Sequence, residues 1–335
     1  GHIVTRLIVN DIEHKESRQI SGNGEIWNIQ SASVSLINRS TRRSRVEYRT
    51  PSKATLTQGN GLSTYSLQSI VIPFREDIKV IEKRPLDREI TLQKTDSWSE
   101  VHHDLSFETK TIRDSYWLAL YELSAAGGDK MIETRLMVDE KPVAGSRNIC
   151  GQTHFWGVFA LSLFKLEVGD HQFQLQYRSP GTTTTLKREN SDWSTIELNM
   201  IELPLNTSAR NNCLQTSMGF TNAKWEEISS TITKISVDTE TTIIVFSSFT
   251  LTTNNQEFQI RIKVNGKSEG HSLASSTKKE FANLRSFTTA TLPQGQNFIS
   301  LEYRLIDAFK DVLYDITNPA EEICLSYIVL PRDSQ

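Results

Sequence analysis

The sequence lacks the bulk features that mark nucleic-acid-binding and membrane proteins. Its 335 residues carry a net charge of −3, whereas general nucleic-acid binders show a clear basic excess. No apolar run approaches the roughly 20 residues that a membrane-spanning helix needs. The first residues contain neither a starting Met nor the apolar core of a signal peptide, so we expect any such segment to have been removed. We therefore predict no nucleic-acid partner and no membrane span.

Catalytic and cofactor-binding motifs are also missing. The chain has no Gly-x-Ser-x-Gly elbow, no phosphate-binding loop and no dinucleotide fingerprint. His102-His103-Asp104 and the pair Asp311 and Asp315 offer ligand atoms, but adjacent residues on a strand point to opposite faces, and nothing fixes a coordination geometry. We predict no catalytic residue, no metal site and no cofactor.

Cysteine is scarce, since Cys150, Cys213 and Cys324 are the only three in the chain. They allow at most one internal disulfide, and they lack the dense, fixed spacing of a small disulfide-stapled scaffold. Cysteine usage alone therefore leaves the cellular compartment undecided.

What the sequence does contain is an internal repeat. Residues 3–55 fall without a gap on residues 132–184 after a shift of 129 positions, and a further shift of 126 gives a fainter third copy. Identities between the first two copies include Thr5 and Thr134, Arg6 and Arg135, Leu7 and Leu136, Ser17 and Ser146, Trp27 and Trp156, Tyr48 and Tyr177, and Arg49 and Arg178. The chain is therefore built from related modules.

Each copy alternates between apolar and polar residues with the period of a β-strand, as in Ile132–Val138 and Phe258–Val264. No long segment has the period of an amphipathic helix. We predict an all-β chain of tandem antiparallel, jelly-roll-like β-sandwich modules. The predicted divisions are an incomplete first repeat at 1–74 with only its second half, a connector at 75–97, a complete second repeat at 98–206, a connector at 207–224 and a complete third repeat at 225–335.

The order of these features resembles the TNF/C1q-like jelly roll. An opening Trp98 precedes a long apolar strand, an Arg-x-x-Val strand runs into a turn at Val138-Asp139 and again at Val264-Asn265, and a Gly-Asp-His hairpin precedes a Leu-x-Tyr-Arg strand. The resemblance covers two and a half modules. A fibronectin- or immunoglobulin-like sandwich is the alternative fold, although those domains are usually shorter.

The resemblance implies self-association, with modules packed in trimer-like clusters through aromatic-rich faces. It also suggests that another chain supplies the missing front of the first copy, by adding a strand at an open edge. Truncation or processing of the chain explains the missing front equally well.

Three positions recur in every copy and so belong to the scaffold. They are Arg6, Arg135 and Arg261; Tyr48, Tyr177 and Tyr303; and Arg49, Arg178 and Arg304. Alternation places the tyrosines toward the core and the arginines on the outer face, where an arginine usually covers apolar atoms and meets a cross-strand carboxylate. Anion or partner binding is the alternative role for the arginines.

The second copy is unusually aromatic. Its candidate ligand or interface residues are Trp117, Tyr121, Phe155, Trp156 and Phe159. We interpret Trp117 and Tyr121 as lying on the outward face of their strand, where large aromatic side chains are costly to leave in water. This placement predicts a contact surface between modules or chains, or a site for a flat apolar ligand.

The first copy carries a basic cluster on one predicted hairpin. Arg39, Arg42, Arg43 and Arg45 lie close together, and residues 1–74 contain nine basic against five acidic side chains. The cluster is a candidate patch for a sulfated glycan or an acidic protein partner, or a processing site. A solvated loop is the simpler interpretation and the one we favour.

Together these features favour a non-enzymatic, extracellular or surface-associated repeat protein that works by oligomeric assembly and binding. The first alternative is a carrier that holds an apolar or aromatic small molecule between modules. The second is an enzyme whose site has no recognisable motif.

Overall fold

The computed structural model describes residues 2–9, 12–22, 44–49, 78–85, 89–126, 131–150, 155–181, 183–187, 196–253, 256–269, 272, 274–275, 281–306, 312–315, 317 and 321–329. Within these ranges the regular elements are antiparallel strands and two short 3-10 helices, which confirms the predicted all-β class. In the same ranges no helix has the length and apolar character needed to cross a membrane.

Residues 1–74, here called module 1, contribute one three-stranded sheet to the described structure. Its strands are β1 (His2–Val9), β2 (Ile12–Gly22) and β3 (Ser44–Arg49). The strand order is β2-β1-β3, so β1 lies in the middle and β3 at an edge.

Module 2 follows and forms a two-layered sandwich. Its strands are β4 (Val80–Lys83), β5 (Glu89–Leu92), β6 (Thr95–Glu100), β7 (Ser106–Thr111), β8 (Ser115–Ala126), β9 (Ile132–Val138), β10 (Lys141–Pro142), β11 (Asn148–Cys150), β12 (Phe155–Leu166), β13 (Gly169–Ser179), β14 (Thr184–Lys187) and β15 (Ile196–Glu202), with a 3-10 helix at His103–Leu105. One sheet has the order β12-β8-β15-β4, and the other has the order β10-β9-β13-β6 with β7 and β11 alongside.

Module 3 repeats this plan. Its strands are β16 (Ser208–Cys213), β17 (Met218–Phe220), β18 (Glu226–Glu227), β19 (Thr233–Val237), β20 (Thr241–Thr252), β21 (Phe258–Val264), β22 (Lys267–Ser268), β23 (Ala274–Ser275), β24 (Phe281–Leu292), β25 (Gly295–Leu305), β26 (Val312–Tyr314) and β27 (Glu322–Val329), with a 3-10 helix at Ser229–Thr231. Its two main sheets have the orders β16-β27-β20-β24 and β18-β25-β21-β22, with β19 and β23 alongside the second.

The long strands of each complete module alternate between its two sheets. In module 2, β8, β12 and β15 lie in one sheet, whereas β9 and β13, which fall between them in sequence, lie in the other. This alternation is the connectivity of a jelly-roll sandwich. The predicted jelly-roll-like architecture is therefore present, while the closer assignment to the TNF/C1q-like group stays a prediction.

The three modules share one strand register. The central pair of strands places Thr5 opposite Tyr48 in module 1, Thr134 opposite Tyr177 in module 2 and Ile260 opposite Tyr303 in module 3. These partners coincide with the offsets of 129 and 126 found in the sequence. The repeat therefore reflects the same backbone pairing and not only a shared composition.

The two segments predicted as connectors are corrected by the structure. β4 lies in the segment 75–97 and pairs with β15, and β16 lies in the segment 207–224 and pairs with β27. Each is thus an edge strand of its module. Both segments are polar in sequence because an edge strand exposes much of its surface to water, and a polar strand resembles a loop in its composition.

Two separate cores fill the sandwiches, and a third apolar cluster lies between them. The module 2 core includes Trp117, Tyr121 and Phe173. The module 3 core includes Phe220 and Phe249. Full burial of each large apolar side chain is worth about 1.5–3 kcal/mol, so both modules have cores typical of independent domains.

Candidate interaction surfaces

The structure places Trp117 and Tyr121 in the core of module 2, so the interpretation that they face outward is wrong. Their side chains are 0% and 1% exposed. The Trp117 indole N–H donates to Ser115 Oγ at 2.9 Å, and the Tyr121 hydroxyl lies 3.0 Å from Thr134 Oγ1. Both faces of β8 are apolar, and alternation alone does not tell which face meets the partner sheet of its own module.

The opposite face of β8 forms a junction between modules 2 and 3. The junction cluster consists of Leu118, Leu120, Leu161, Leu163, Leu203, Ala209, Ile244, Phe246 and Ile328. Phe159, a predicted interface residue, is partly buried against it. We call the sheet β12-β8-β15-β4 and the sheet β16-β27-β20-β24 the junction sheets. The face of each that points away from the core of its own module packs on the other. The other main sheet of each module is called its outer sheet.

The remaining predicted site residues fall where their side chains are not described. Phe155 and Trp156 lie in β12, and Arg45 lies in β3 opposite Ile8, but the side chains of these three are outside the described set. Arg39, Arg42 and Arg43 lie outside the described residues altogether. Their proposed roles stay predictions.

A buried polar network spans the same junction, and nothing in the sequence pattern indicated it. Arg285 of β24 donates through Nη2 to the backbone oxygen of Arg147 at 2.7 Å and to Asn148 Oδ1 at 2.6 Å. Asn148 Nδ2 in turn donates to the Tyr121 hydroxyl at 2.8 Å, and the Arg147 N–H donates to Glu322 Oε2 at 3.0 Å. The network therefore ties β11 of module 2 to β24 and β27 of module 3.

Burial shifts the ionisation of this network. It lowers the pKa of Arg285 to about 10, although electrostatic interactions with Tyr121 and Glu322 act to raise it. It raises the pKa of Glu322, although backbone N–H groups of Gly145 and Arg147 and the charges of Arg147 and Arg285 act the other way. A buried charge is tolerated only with its partners in place, so this network fixes the geometry of the junction.

The outer sheets carry the repeated arginines, which hold a tryptophan in each complete module. In module 2 the Cζ atoms of Arg135 and Arg178 lie 3.9 and 5.3 Å from the centroid of the Trp98 ring. In module 3 the Cζ atoms of Arg261 and Arg304 lie 3.9 and 4.8 Å from the centroid of the Trp225 ring. Arg261 corresponds to Arg135 in the repeat, and Arg304 corresponds to Arg178. We call this arrangement the Arg–Trp clamp. By cation–π contact it fixes β6 of module 2, which contains Trp98, and the start of β18 of module 3, which follows Trp225, to the outer sheet.

The two arginines of each clamp bond one carboxylate and one side-chain amide, but the strand that carries the carboxylate differs between the two modules. In module 2, Arg178 pairs with Glu133 at 2.6 Å and Arg135 bonds Gln176 at 2.8 Å. In module 3 the ion pair lies between Arg261 and Glu302 at 2.8 Å, and Arg304 bonds Gln259 at 2.6 Å. The repeated arginines of modules 2 and 3 thus have the predicted structural role. The carboxylate lies on β9 in module 2, as Glu133, and on β25 in module 3, as Glu302.

The repeated tyrosine closes the core in the complete modules and not in module 1. Tyr177 and Tyr303 are 5% and 2% exposed, whereas Tyr48 is 63% exposed. The Tyr177 hydroxyl accepts the N–H of Gln93 at 2.9 Å, and the Tyr303 hydroxyl donates to Glu226 Oε2 at 2.6 Å. Gln93 lies just before β6 and Glu226 begins β18, and these two strands pair with the strands that carry the tyrosines.

His102, His103 and Asp104 lie on the 3-10 turn of module 2, and their ligand atoms lie within 4.8 Å of one another. The sequence argument placed them on a strand with opposed side chains, and the turn instead brings them together. His102 Nδ1 already accepts the N–H of Asp104 at 3.2 Å, which engages one of its two ring nitrogens. The prediction that they bind no metal stays untested.

One disulfide joins Cys213 of β16 to Cys324 of β27 across a sequence separation of 111 residues. Sequence reasoning allowed one disulfide without choosing its cysteines. The pairing could have been found only with the register of β16 and β27, which places these two residues directly opposite each other.

Comparison with known proteins does not identify a family. No protein-family model and no curated protein matches the sequence. Among solved structures, a xanthan lyase from Paenibacillus is 10% identical, with a TM-score of 0.23, over 76% of this chain and 25% of that chain. The CBM22-1-CBM22-2 tandem domain of Xyn10C from Paenibacillus barcinonensis is 8% identical, with a TM-score of 0.23, over 77% of this chain and 92% of that chain.

Infectious bursal disease virus, strain Gx, gives a third likeness at 7% identity and a TM-score of 0.26, over 99% of this chain and 61% of that chain. The chain thus spans about a quarter of the xanthan lyase and less than two thirds of the viral protein. Scores this low carry no argument about activity or partners.

Proposed function

We propose that this is a non-enzymatic, extracellular or surface-associated β-sandwich repeat protein that works by assembly and binding, with module 1 as its assembly surface. Modules 2 and 3 are complete sandwiches, and they are already packed on each other through their junction sheets. In the described part of the chain, module 1 differs because it shows a three-stranded sheet with an edge at β3.

The observation that carries the proposal is the exposure of Tyr48. The same residue closes the core in modules 2 and 3, yet in module 1 it is 63% exposed. A small sheet cannot bury its apolar face alone and becomes stable by packing against another element. The β2 strand of this sheet contacts β12 and β8 of module 2, and a second polypeptide that covers Tyr48 supplies a further element for the sheet to pack against.

Two further features support the character of the assembly. The disulfide between Cys213 and Cys324 supports an oxidising compartment outside the cytosol, because disulfides persist there. The basic excess of residues 1–74 supports an acidic partner, either a protein or a glycan. The carrier hypothesis was based on outward-facing Trp117 and Tyr121. Both side chains fill the core of their own module, so they do not support it.

Light scattering and native mass spectrometry of the 335-residue protein test this proposal. We expect oligomers with multiples of the 38.0 kDa chain mass, whose share increases with concentration, because an exposed edge strand can pair with the edge of another chain. Tyr48→Asp should suppress the association. Phe298→Asp is the matched control, since Phe298 is 46% exposed on module 3 and has no part in the proposed surface.

A chain that is monomeric at every concentration, or whose association is unaffected by Tyr48→Asp, would overturn the proposal. A single chain with a small adduct that survives native ionisation would instead favour the carrier.

A further inference from the structure

One short turn joins module 2 to module 3, and each junction sheet has an edge strand that begins beside it. The turn lies between the end of β15 at Glu202 and the start of β16 at Ser208. The edge strand β4 begins next to the same turn, because Val80 lies opposite Ile201 of β15. Just before that strand, the backbone oxygen of Lys79 accepts the N–H of Glu202 at 2.8 Å. A group attached to the turn therefore lies close to both edge strands.

Asn206 is one of the two central residues of this turn. Thr207 closes the turn, since its N–H and its hydroxyl both donate to the backbone oxygen of Pro204, at 3.2 and 2.6 Å. Pro204 and Thr207 are buried, whereas Leu205 and Asn206 are exposed. Asn206 has a φ of +63°, a left-handed conformation that Asn adopts more readily than most residues. The turn therefore presents Asn206 to solvent.

Asn206 also begins the acceptor pattern for an N-linked glycan, Asn-x-Ser/Thr, as Asn206-Thr207-Ser208. Ser208 supplies the hydroxyl of the pattern and is likewise exposed. A glycan is bulky and hydrophilic, so its acceptor has to lie on the surface. The chain has one further match, Asn38-Arg39-Ser40, which lies outside the described residues. At Asn206, both the sequence pattern and the exposure fit a modified residue.

We infer that Asn206 is an N-glycosylation site and that its glycan keeps the adjacent edges of β4 and β16 from pairing with other chains. In the modification, Asn206 Nδ2 bonds to the anomeric carbon of a lipid-linked oligosaccharide. The bond from that carbon to the lipid pyrophosphate breaks, and the amide loses one proton. The inference rests on the extracellular location proposed above, because this acceptor pattern is used in secreted proteins.

The edges beside the turn are ones that need protection. Val80 of β4 is 38% exposed and Leu205 of the turn is 47% exposed, so apolar surface lies next to unpaired strand edges in the described part of the chain. Such an edge pairs with other chains unless something covers it. A hydrated oligosaccharide on Asn206 covers this end of both junction sheets and leaves module 1 as the surface for assembly.

Mass spectrometry of the 335-residue protein, secreted from a eukaryotic host, tests the site. We expect a mass above the 38.0 kDa of the chain that peptide-N-glycosidase lowers, with conversion of Asn206 to Asp. Ser208→Ala removes the acceptor hydroxyl while Asn206 and its turn are kept, and it should abolish this conversion. Ser40→Ala removes the other match and is the matched control, which should leave Asn206 modified. An unmodified Asn206 in the secreted protein, or a glycan that survives Ser208→Ala, would contradict the inference.

Light scattering before and after enzymatic removal of the glycan tests its effect on the edges. Removal should shift the protein toward oligomers, and Val80→Lys should reverse that shift, because a charged side chain blunts an edge strand. Phe298→Asp lies away from these edges and should not reverse it. Association that is unchanged by removal of the glycan would reject its protective role.

The outcomes separate this inference from the proposed function. A glycan on Asn206 of a protein whose association is unaffected by Tyr48→Asp would reject module 1 as the assembly surface and support the site. Association that depends on Tyr48, in a secreted protein with an unmodified Asn206, would support the assembly surface and reject the site.

Discussion

Modules 2 and 3 share strand order and register, but they place their largest core residues at opposite ends. On the matching strands β8 and β20, Trp117 and Tyr121 of module 2 correspond to Ile243 and Ser247 of module 3. The replacement runs the other way further along, where Leu123 corresponds to Phe249. A core tolerates such exchanges when its total volume and pattern are kept. The comparison shows that the same fold forms whether the large core side chains lie at one end of this strand or at the other.

The modules also differ in how they hold their edges. Module 3 joins its junction-sheet edge covalently through Cys213 and Cys324, at a position where module 2 has an ion pair between Arg84 and Glu197 at 3.1 Å. In its outer sheet, module 2 has a charged pair, His171 and Asp139, at a turn. Matched substitutions in the two modules therefore separate what the fold requires from what each module adds.

The largest expected effect is at the aromatic end of module 2. Trp117→Ala should lower the free energy of unfolding by about 3–5 kcal/mol, because it removes a fully buried indole and leaves a cavity. The matched change Ile243→Val in module 3 should cost about 0.5–1.5 kcal/mol. Urea denaturation of both variants measures the difference. Equal losses at the two positions would show that Trp117 is not a main part of the module 2 core.

The next effect concerns the junction. Arg285→Met should cost about 3–5 kcal/mol, because it leaves Glu322 as a buried charge without one of its compensating partners. The double variant Arg285→Met with Glu322→Gln should lose less than the sum of the single variants, because both charges are then removed. Arg210→Met, at an exposed position of β16, is the control and should change the stability by about 0.5 kcal/mol or less. Additive losses would argue against the coupling.

The disulfide gives a smaller and local effect. Cys213→Ser should destabilise module 3 by about 2–5 kcal/mol, because the bond closes a long loop in the unfolded chain. Module 2 should keep its stability, which hydrogen exchange of β8 and β20 can measure separately. Cys150→Ser is the matched control, since the corresponding residues in the other copies are Ser21 and Ser276. Equal destabilisation of both modules would mean that they unfold as one unit.

Sequence reasoning predicted the fold because strand period and repetition are local signals. Ile132–Val138 and Phe258–Val264 are strands with the predicted bounds. It also placed the repeated tyrosines and arginines on the correct faces in modules 2 and 3. The edge strands β4 and β16 were missed because a polar edge strand has the composition of a connector.

The candidate site was harder to predict because it depends on which surfaces meet. Trp117 and Leu118 alternate along one strand, and both faces are buried, one in a core and one at the junction. No local pattern distinguishes these two kinds of burial. Arg285 was missed for a related reason, since its partners Arg147 and Asn148 are distant in sequence and lie in another module.

The smallest expected effect is the pH response of the turn that closes the module 2 outer sheet. His171 Nδ1 lies 2.7 Å from Asp139 Oδ2, while module 3 makes the same contact with neutral groups, Asn265 Nδ2 donating to Asn297 Oδ1 at 2.7 Å. Burial pulls the pKa of His171 down, but its bonds to Asp139 and to the backbone oxygen of Glu167 outweigh burial and raise the pKa above 6.5. Burial also acts to raise the pKa of Asp139, but its hydrogen bonds with His171 and with the N–H of Gln172 outweigh burial and lower the pKa below 3.8.

These two shifts set the sign of the response. The charged His171 stabilises module 2 fully below pH 6.5, and its contribution is lost as the pH rises through the raised pKa of the folded state. The contribution of Asp139 is present above pH 3.8 and is lost as the pH falls through its lowered pKa. The charged pair is therefore strongest between these limits. Melting of the double variant Asp139→Asn with His171→Asn, which reproduces module 3, should lose the fall in stability that the parent shows above pH 6.5. A parent and variant with parallel pH profiles would show that the charges at this turn do not distinguish the two modules.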